Sequence, residues 1–167
     1  MTTMNNSPRS DIESAIWEIC ASVMDPEIPV VSIADLGVLR EVAVDDQGAV
    51  TVTITPTYSG CPAMDAIKDD LEKVLQNRGF SSITIRLVLA PAWTTDWITE
   101  TGRQALEAYG VAPPATQTER SLLNLSVRCT HCGSLNTQEL SRFGSTACKS
   151  LWRCRDCAEP FDYFKAH

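Results

Sequence analysis

The sequence Cys129-Thr130-His131-Cys132, separated by 21 residues from Cys154-Arg155-Asp156-Cys157, decides how the C-terminal part of this 167-residue chain folds. Each Cys-x-x-Cys pair turns two sulfur atoms toward one point, and four thiolates suit a tetrahedral zinc ion. Two redox dithiols are the alternative, but neither pair opens the βαβ unit of a thioredoxin-like motif. The pattern therefore predicts a small β ribbon around one structural Zn²⁺, with the ligands Cys129, Cys132, Cys154 and Cys157.

Two other residues of this segment leave alternatives open. His131, inside the first pair, is an alternative ligand, although four sulfurs already complete a tetrahedral site. Cys148, within the stretch Gly144–Lys149, is either a small residue in a strand or a reactive neighbour of the metal. The ion is zinc or iron, because sites with four sulfur ligands accept both.

The composition indicates a globular chain in a reducing compartment. Hydrophobic residues make up 44% of the sequence, and no apolar run approaches the ~18 residues that a membrane span needs. The stretch 1–13 lacks the apolar region of a secretory signal. Seven cysteines without such a signal favour the cytoplasm, with metal binding or catalysis as their use.

The net charge of −7 is unevenly distributed. Residues 1–124 contain 8 Lys and Arg against 17 Asp and Glu, a net of −9, whereas residues 125–167 contain 6 against 4, a net of +2. A divalent ion with four thiolates adds about −2 and brings the tail near neutral. Neither part resembles a nucleic-acid binder, so proteins are the expected partners.

Periodic apolar residues predict an α+β domain ahead of the cysteine pairs. Helices are expected over about 11–24, 61–78 and 95–109. The first begins with a capping box, Ser10 and Glu13. Its apolar stripe comprises Ile12, Ile16, Ile19 and Val23, with Cys20 buried beside it. Alternating residues predict strands over 38–45, 49–55 and 83–89. The expected fold is a small three-stranded sheet packed with two to three helices, followed by the ribbon.

The predicted domain boundaries follow from composition. Residues 1–111 form the α/β domain, and residues 112–121 form a linker because they contain prolines and small polar side chains. The ribbon occupies 122–167. Its strands are expected over 125–128, 150–153 and 161–164. A module of about 45 residues buries little core, so the metal would stabilise it.

Cys61 is the residue most open to a functional role. It follows a strand and the turn at Gly60, and Pro62 fits the first position of a helix. Unpaired N–H groups and the helix dipole at such a position favour thiolate, which binds soft metals or iron–sulfur clusters, or attacks electrophiles. The alternative is a buried cysteine at a tight helix start. Nearby acidic residues oppose ionisation: Asp65, Asp69 and Asp70.

Carboxylates and tryptophans in two other loops are weaker candidates. Asp25, Glu27 and Asp35 are either acid/base groups or turn and cap residues, the second being the commoner use. Trp93 and Trp97 lie between the third strand and the third helix, where they either cover the sheet edge near Cys61 or form a partner surface. Cys148 is included in that candidate partner surface.

The chain resembles a known family in two modules. Residues 12–110 are similar to the small domain of iron–sulfur assembly factors, the group that includes SufT. The matching stretches are Asp25–Pro29, Asp35–Gly37, Thr57–Pro62 and Pro91–Trp93. The ribbon narrows the resemblance to the PaaD family of the bacterial phenylacetyl-CoA ring-epoxidase system. The stretches that carry this second match are Phe143–Lys149, Arg153–Cys157 and Glu159–Lys165.

The resemblance implies accessory work rather than catalysis. PaaD-like proteins accompany a di-iron oxygenase and a reductase with a flavin and an iron–sulfur cluster, so help in maturing or loading that cluster is expected. Cys61 corresponds to the cysteine that matters in the assembly-factor domain, which implies a transient iron–sulfur cluster there. One cysteine makes a poor permanent site, because clusters usually have four ligands. A homodimer, a partner protein or both are expected to supply the others.

Two further hypotheses remain open at this point. The protein is alternatively a non-catalytic docking subunit of the oxygenase complex, with the ribbon and the tryptophans as its surface. A thiol enzyme with Cys61 as nucleophile is the third hypothesis, but the sequence places no convincing His or Lys base beside it.

Overall fold

The computed structural model describes residues 10–115 and 126–165. Within them, three α-helices, one 3-10 turn and seven strands are defined. The helices are α1 (Asp11–Ala21), α2 (Ala63–Gln76) and α3 (Glu100–Ala108), and the 3-10 turn is Thr95–Trp97. The strands are β1 (Leu39–Val44), β2 (Val50–Ile54), β3 (Ile83–Leu87), β4 (Val111–Ala112), β5 (Thr137–Ser141), β6 (Lys149–Cys154) and β7 (Pro160–Phe164).

The first sheet has the order β1-β2-β3 and confirms the expected three-stranded sheet. Strands β1 and β2 form an antiparallel hairpin, and β3 adds to β2 in parallel through the crossover helix α2. Asp45 Oδ1 accepts hydrogen bonds from the backbone N–H groups of Gln47 and Ala49, which fixes the hairpin turn. The alternating residues of β2 are all buried, as expected: Val50, Val52 and Ile54.

Helices α1 and α2 pack their apolar residues into the core beside this sheet. The capping box at Ser10 and Glu13 is present, and Cys20 is fully buried, both as predicted. Ile12 is 61% exposed, so the predicted stripe is wrong at this residue, which lies in the first helical turn. The inward residues of α2 are all at or near zero exposure: Ile67, Leu71 and Leu75.

The predicted third helix divides into two pieces. Thr94 caps the short 3-10 turn, and a separate N-cap at Thr99 starts α3. Gly102 is buried inside α3, where a Cβ would lie 2.9 Å from the backbone oxygen of Asp35. This close approach explains a glycine in the middle of a helix, where glycine otherwise costs about 1 kcal/mol relative to alanine.

The second sheet has the order β4-β7-β6-β5. Strand β4 pairs with β7 in parallel, while β6 is antiparallel to both β5 and β7. Strands β6 and β7 match expectation, but residues 126–128 form no strand, and β5 was not predicted. The predicted linker begins with Ala112, which the structure places in β4; residues 116–121 lie outside the described part of the chain.

The two sheets belong to modules that share a core. Cys148 and Phe164 of the second sheet are buried in the same apolar cluster as the first module. The Phe164 and Trp93 ring centroids lie 5.9 Å apart, and Trp93 Nε1 donates a 2.8 Å hydrogen bond to the Leu36 oxygen. The α+β fold with an appended ribbon is confirmed, and the ribbon packs directly on the α/β module. No helix in the described ranges has the length and apolar character needed to cross a bilayer.

Candidate functional site

Four sulfur atoms converge at one end of the second sheet. The Sγ atoms of Cys129 and Cys157 lie 3.7 Å apart, those of Cys132 and Cys154 lie 3.6 Å apart, and all four fall within 4.8 Å of one another. A tetrahedral ion with Zn–S bonds of about 2.3 Å requires sulfur–sulfur distances of about 3.8 Å. The quartet therefore fits a four-coordinate zinc or iron ion.

Backbone geometry supports the quartet. The His131 N–H points at Cys129 Sγ at 3.4 Å, so the described contact of His131 with the site is through its backbone. Cys154 receives N–H groups from Cys157 and Asp156, which lower the pKa of that thiol to about 7 against the opposing effect of desolvation. These N–H groups favour the thiolate of Cys154. The Glu159 N–H acts in the same direction on Cys157, but desolvation and the neighbouring thiols outweigh it and raise the pKa of Cys157 to about 12.

The two cysteine pairs end in the same backbone conformation. Gly133 follows the first pair with φ +75°, and Ala158 follows the second with φ +65°. Only the first position carries the residue that adopts this region without strain. Asp156 closes the site from outside, because its carboxylate accepts hydrogen bonds from Ser134 and from Asn136.

Cys61 lies in the loop between β2 and α2, as expected from the sequence. Gly60 has φ +86°, which allows the turn, and the helix starts at Ala63 after Pro62. The thiol is half-buried. The backbone N–H of Ala63 and the side chain of Thr57 both donate to the sulfur.

The electrostatics of Cys61 differ from the expectation of a stabilised thiolate. Burial raises the pKa of Cys61, the Ala63 N–H lowers it, and the carboxylates of Glu27 and Asp25 raise it further. The helix start is outweighed because the thiol is withdrawn from water and faces negative charge. The opposing carboxylates come from the loop after α1, and the expected acidic residues of α2 are not among the causes.

The carboxylates of that loop have different roles. Asp25 is buried, and its Oδ1 accepts hydrogen bonds from the N–H groups of Glu27 at 2.9 Å and Ile28 at 2.8 Å, as a turn residue does. Asp35 accepts from the hydroxyls of Ser32 and Thr99, which ties this loop to the start of α3. The carboxylate of Glu27 makes no such turn contact in the described hydrogen bonds and instead faces the thiols.

Cys148 is the second thiol of this region. It is 4% exposed, its Sγ donates to Glu27 Oε2 at 3.6 Å, and a 3.0 Å hydrogen bond joins it to the hydroxyl of Thr146. Burial raises the pKa of Cys148 to about 11, and the charges of Glu27 and Asp25 raise it further against the opposing effect of Thr146. Cys148 is not part of the sulfur quartet, and its sulfur contacts Thr146 and Glu27 instead.

Tyr58 completes the set and was not singled out from the sequence. Burial, followed by the charges of Cys61, Glu27 and Cys148, raises the pKa of the phenol to about 12, and Cys61 also forms a hydrogen bond with it. The charges of both thiols and of Glu27 therefore act on the same phenol. The available signal was its position three residues before Cys61.

The expected partner surface is divided by the structure. Trp93 and Cys148 are buried in the core that the two modules share. Trp97 is half-buried, and the Arg40 guanidinium carbon lies 3.6 Å from its ring centroid. Gly37, with φ +72°, allows that ring to approach, since a Cβ there would lie 2.6 Å from the Trp97 Cβ.

Comparison with known families assigns one match to each module. Residues 13–79 match the iron–sulfur cluster assembly protein family, and residues 113–165 match the PaaD zinc beta ribbon domain. The first match includes Glu27, Tyr58 and Cys61, and the second includes Cys148 and the sulfur quartet.

Similar proteins are known for the whole chain and for its first module. The chain is 47% identical, over 90% of both sequences, to a protein of Escherichia coli strain K12 whose name makes it one of the subunits of 1,2-phenylacetyl-CoA epoxidase. It is 40% identical to an Fe-S protein maturation auxiliary factor of Porphyromonas gingivalis, over 53% of this chain and 84% of that one. A crystal structure of a domain of unknown function from Bacillus anthracis covers 56% of this chain and 90% of its own, with 29% identity and a TM-score of 0.53.

Proposed function

This chain belongs to the PaaD family, and from that membership we propose that it is a non-catalytic accessory protein of aerobic phenylacetate degradation. Its role is to assist the assembly or insertion of an iron–sulfur cluster, with the reductase component of the phenylacetyl-CoA epoxidase as recipient. The whole-chain relative is named as an epoxidase subunit, and the relatives of the first module are named as Fe-S protein maturation factors. The proposal combines these two assignments in one chain.

The observation that carries the proposal is the placement of Cys61. Its half-buried thiol lies at the loop before α2, inside the part that matches the iron–sulfur assembly family. A thiolate at this position ligates iron, and the carboxylate of Glu27 is the proton acceptor for the thiol. The cluster is cargo, so weak and incomplete ligation at this position is consistent with handing it on.

Cys61 is poorly suited to nucleophilic catalysis. Burial and the charges of Glu27 and Asp25 raise its pKa, whereas a nucleophilic cysteine needs a stabilised thiolate. Neither His nor Lys is among the groups that affect its ionisation. These facts support an accessory role over the thiol-enzyme hypothesis.

The ribbon quartet supports a second part of the proposal. Cys129, Cys132, Cys154 and Cys157 would hold one Zn²⁺, whose chemistry there is structural because four protein ligands close its coordination sphere. The expected partners are proteins: the oxygenase and reductase components, the assembly machinery, and a second copy of this chain. A cytoplasmic location accords with reduced cysteines.

The test uses the epoxidase reductase produced together with this protein. Cys61→Ala should leave the fold and the zinc content unchanged and yield reductase with little cluster. Cys20→Ala is the matched control, because it removes a cysteine that is buried in the core and whose pKa is raised by burial alone. Full cluster occupancy of the reductase in cells that carry Cys61→Ala would contradict the proposal.

A docking subunit remains the alternative, because the whole-chain relative is named as a subunit. That function predicts co-purification with the oxygenase in a fixed ratio, which Cys61→Ala would not change. An assembly factor instead predicts substoichiometric, transient association. Size-exclusion chromatography of the co-expressed components distinguishes the two.

A further inference from the structure

Two thiols from different modules face one carboxylate. Cys148 Sγ donates to Glu27 Oε2 at 3.6 Å, and the Cys61 thiol lies in the electrostatic field of the same Glu27. Tyr58 forms a hydrogen bond with Cys61, and the charge of Cys148 also acts on its phenol. Cys61 packs against the apolar cluster in which Cys148 is buried. Glu27 is therefore the group that both thiols share at the junction of the modules.

The backbone around Cys148 is fixed by several hydrogen bonds. The Cys148 oxygen accepts from the Lys165 N–H at 2.9 Å, and the Lys149 N–H donates to the Thr146 oxygen at 3.2 Å. Lys149 is buried, with its Nζ 3.7 Å from Asp162. Gly144 permits the tight loop, because a Cβ there would lie 3.0 Å from the same carboxylate. These contacts hold the backbone at Cys148 and so give its sulfur a defined position beside Glu27.

We propose that Cys61, Cys148 and Glu27 form one bipartite site that binds a two-iron, two-sulfide cluster through two thiolates and one carboxylate. This inference rests on the proposed function and names the ligands of that same site. It gives the ribbon a role beyond docking, since the ribbon supplies one of the two sulfur ligands. The fourth position of the cluster stays open for a ligand of the recipient protein.

The arrangement suits a cluster better than a single ion. In the described residues, the ribbon quartet is the one group of three or more potential ligands that converges on a point. Cys61, Cys148 and Glu27 are not such a group, and a two-iron cluster does not require its protein ligands to meet at one point, because its two iron atoms take separate ligands. Soft thiolates suit iron–sulfur clusters.

The chemistry of binding is ligand exchange. Two S–H bonds break, and two Fe–S bonds and one Fe–O bond form, as the thiols of Cys61 and Cys148 and the carboxylate of Glu27 replace three weakly held ligands on a preformed cluster. Both protons leave to solvent; Glu27, which already accepts the Cys148 thiol hydrogen bond, takes that proton first and releases it before its carboxylate binds iron. No electron is transferred, and the cluster keeps its oxidation state.

Strand β6 connects this site to the ribbon metal. Cys148 directly precedes β6, and the metal ligand Cys154 ends it, so the two sulfurs belong to opposite ends of a six-residue strand of about 20 Å. The ribbon metal is therefore too distant to take part in cluster binding. Its contribution is to hold the strand that positions Cys148.

The experiment is anaerobic reconstitution of the zinc-loaded full chain with ferrous iron, cysteine, a cysteine desulfurase and dithiothreitol, which reduces the persulfide sulfur to sulfide. After desalting, iron, acid-labile sulfide and zinc are measured per chain. Wild-type protein should bind about two iron atoms and two sulfides. Cys61→Ser and Cys148→Ser should each lower cluster binding by about tenfold or more, while zinc and circular dichroism stay unchanged. Cys20→Ala should bind as wild type.

The outcomes separate this inference from the proposed function. Loss in both variants supports the bipartite site. Normal binding by Cys148→Ser together with loss in Cys61→Ser overturns the inference and leaves the proposed function standing. Absence of a cluster in wild-type protein also overturns the inference, whereas the proposed function is judged separately by cluster content of the reductase in cells.

A second measurement needs no folded variant of Cys148. Phenylarsine oxide binds two neighbouring thiols at once and releases one water, so zinc-loaded wild-type protein should gain one arsenical in native mass spectrometry. Peptide mapping should place that arsenical on Cys61 and Cys148. An intact protein that gains none has thiols too far apart to share a ligand, and that result overturns the inference.

Discussion

The thiol of Cys148 donates a hydrogen bond of 3.6 Å to the carboxylate of Glu27, although 121 positions separate the two residues. Glu27 belongs to the loop after α1, and Cys148 belongs to the loop before β6. The contact joins the part that matches the iron–sulfur assembly family to the part that matches the zinc ribbon. The proposed cargo site is therefore a property of the junction.

Removal of the ribbon metal should disorganise the second sheet first. A structural zinc ion contributes about 10–16 kcal/mol to folding in small zinc modules, so chelation or Cys154→Ser should unfold β5–β7. The helical signal should persist, because α1 and α2 belong to the first core. Zinc analysis combined with hydrogen exchange of the two sheets checks this.

The junction provides the control for that experiment. Because Trp93 contacts Phe164 of β7, its fluorescence should change when the ribbon unfolds. Equal protection of β5–β7 with and without metal would show that the sheet is stable by itself and that the quartet is not its main support.

Glu27→Gln should make Cys61 react faster with iodoacetamide at pH 7. Burial and the charges of Glu27 and Asp25 raise the pKa of Cys61. Removing the charge of Glu27 should therefore lower that pKa and increase the thiolate fraction. In wild type, the alkylation rate should continue to increase with pH beyond the pH at which an ordinary cysteine is fully ionised. In the variant, the curve of rate against pH should shift to lower pH. Peptide mass spectrometry measures the rate.

Glu18→Gln is the matched control, since Glu18 is exposed on α1. It should leave the profile of Cys61 alkylation unchanged. An equal acceleration in both variants would point to net charge rather than to the specific neighbour.

Phe164→Ala should destabilise the whole chain by about 3–5 kcal/mol, because its ring is fully buried between the modules. Phe143→Ala removes the same side chain from a position that is 73% exposed and should change stability by about 0.5 kcal/mol or less. Urea unfolding followed by fluorescence gives both values. Similar small effects would mean that the modules are held together elsewhere.

Gly102→Ala should destabilise the protein by about 1–3 kcal/mol, despite the higher helix propensity of alanine. The added Cβ would lie 2.9 Å from the backbone oxygen of Asp35, and a backbone atom cannot move away as a flexible side chain can. Gln104→Ala, on the exposed side of α3, should be nearly neutral. Thermal unfolding compares the two, and a stabilised Gly102→Ala would show that the contact is looser than described.

Ala158→Gly should stabilise the ribbon by about 0.5–1 kcal/mol. The left-handed conformation costs a non-glycine residue about 1–2 kcal/mol, and glycine removes that cost. Part of the gain is offset because glycine also has more conformational entropy in the unfolded chain. Gly133→Ala at the matching position should act in the opposite direction, because the added Cβ would meet only Arg128 Nη1 at an ordinary 3.9 Å and the cost is conformational. Zinc loss to a competing chelator measures both, and changes of the same sign would contradict this reasoning.

Local patterns accounted for most of the regular structure. The alternation in β2 and the capping box at Ser10 could be predicted because they depend on neighbours a few residues away in the sequence. The split between the 3-10 turn and α3 was missed, because two threonines, Thr94 and Thr99, both offer caps. Strand β5 was missed because its residues are mostly partly buried or exposed, and such a strand carries little apolar alternation.

The position of Cys61 followed from the sequence, but its electrostatic surroundings did not. A cysteine before a helix predicts a lowered pKa, and the structure reverses this through burial and through carboxylates from a distant loop. Tyr58 was overlooked for the same reason, since its neighbours come from three segments.

The sequence alone determined the sulfur quartet, the first sheet and the candidate thiol, because spacing and periodicity are encoded over short distances. Only the tertiary structure decided that Cys148 lies outside the sulfur quartet and contacts Glu27, and that β4 joins the ribbon sheet. A contact between residues 121 positions apart depends on how the apolar surfaces of the two modules pack, and local sequence patterns do not predict that packing.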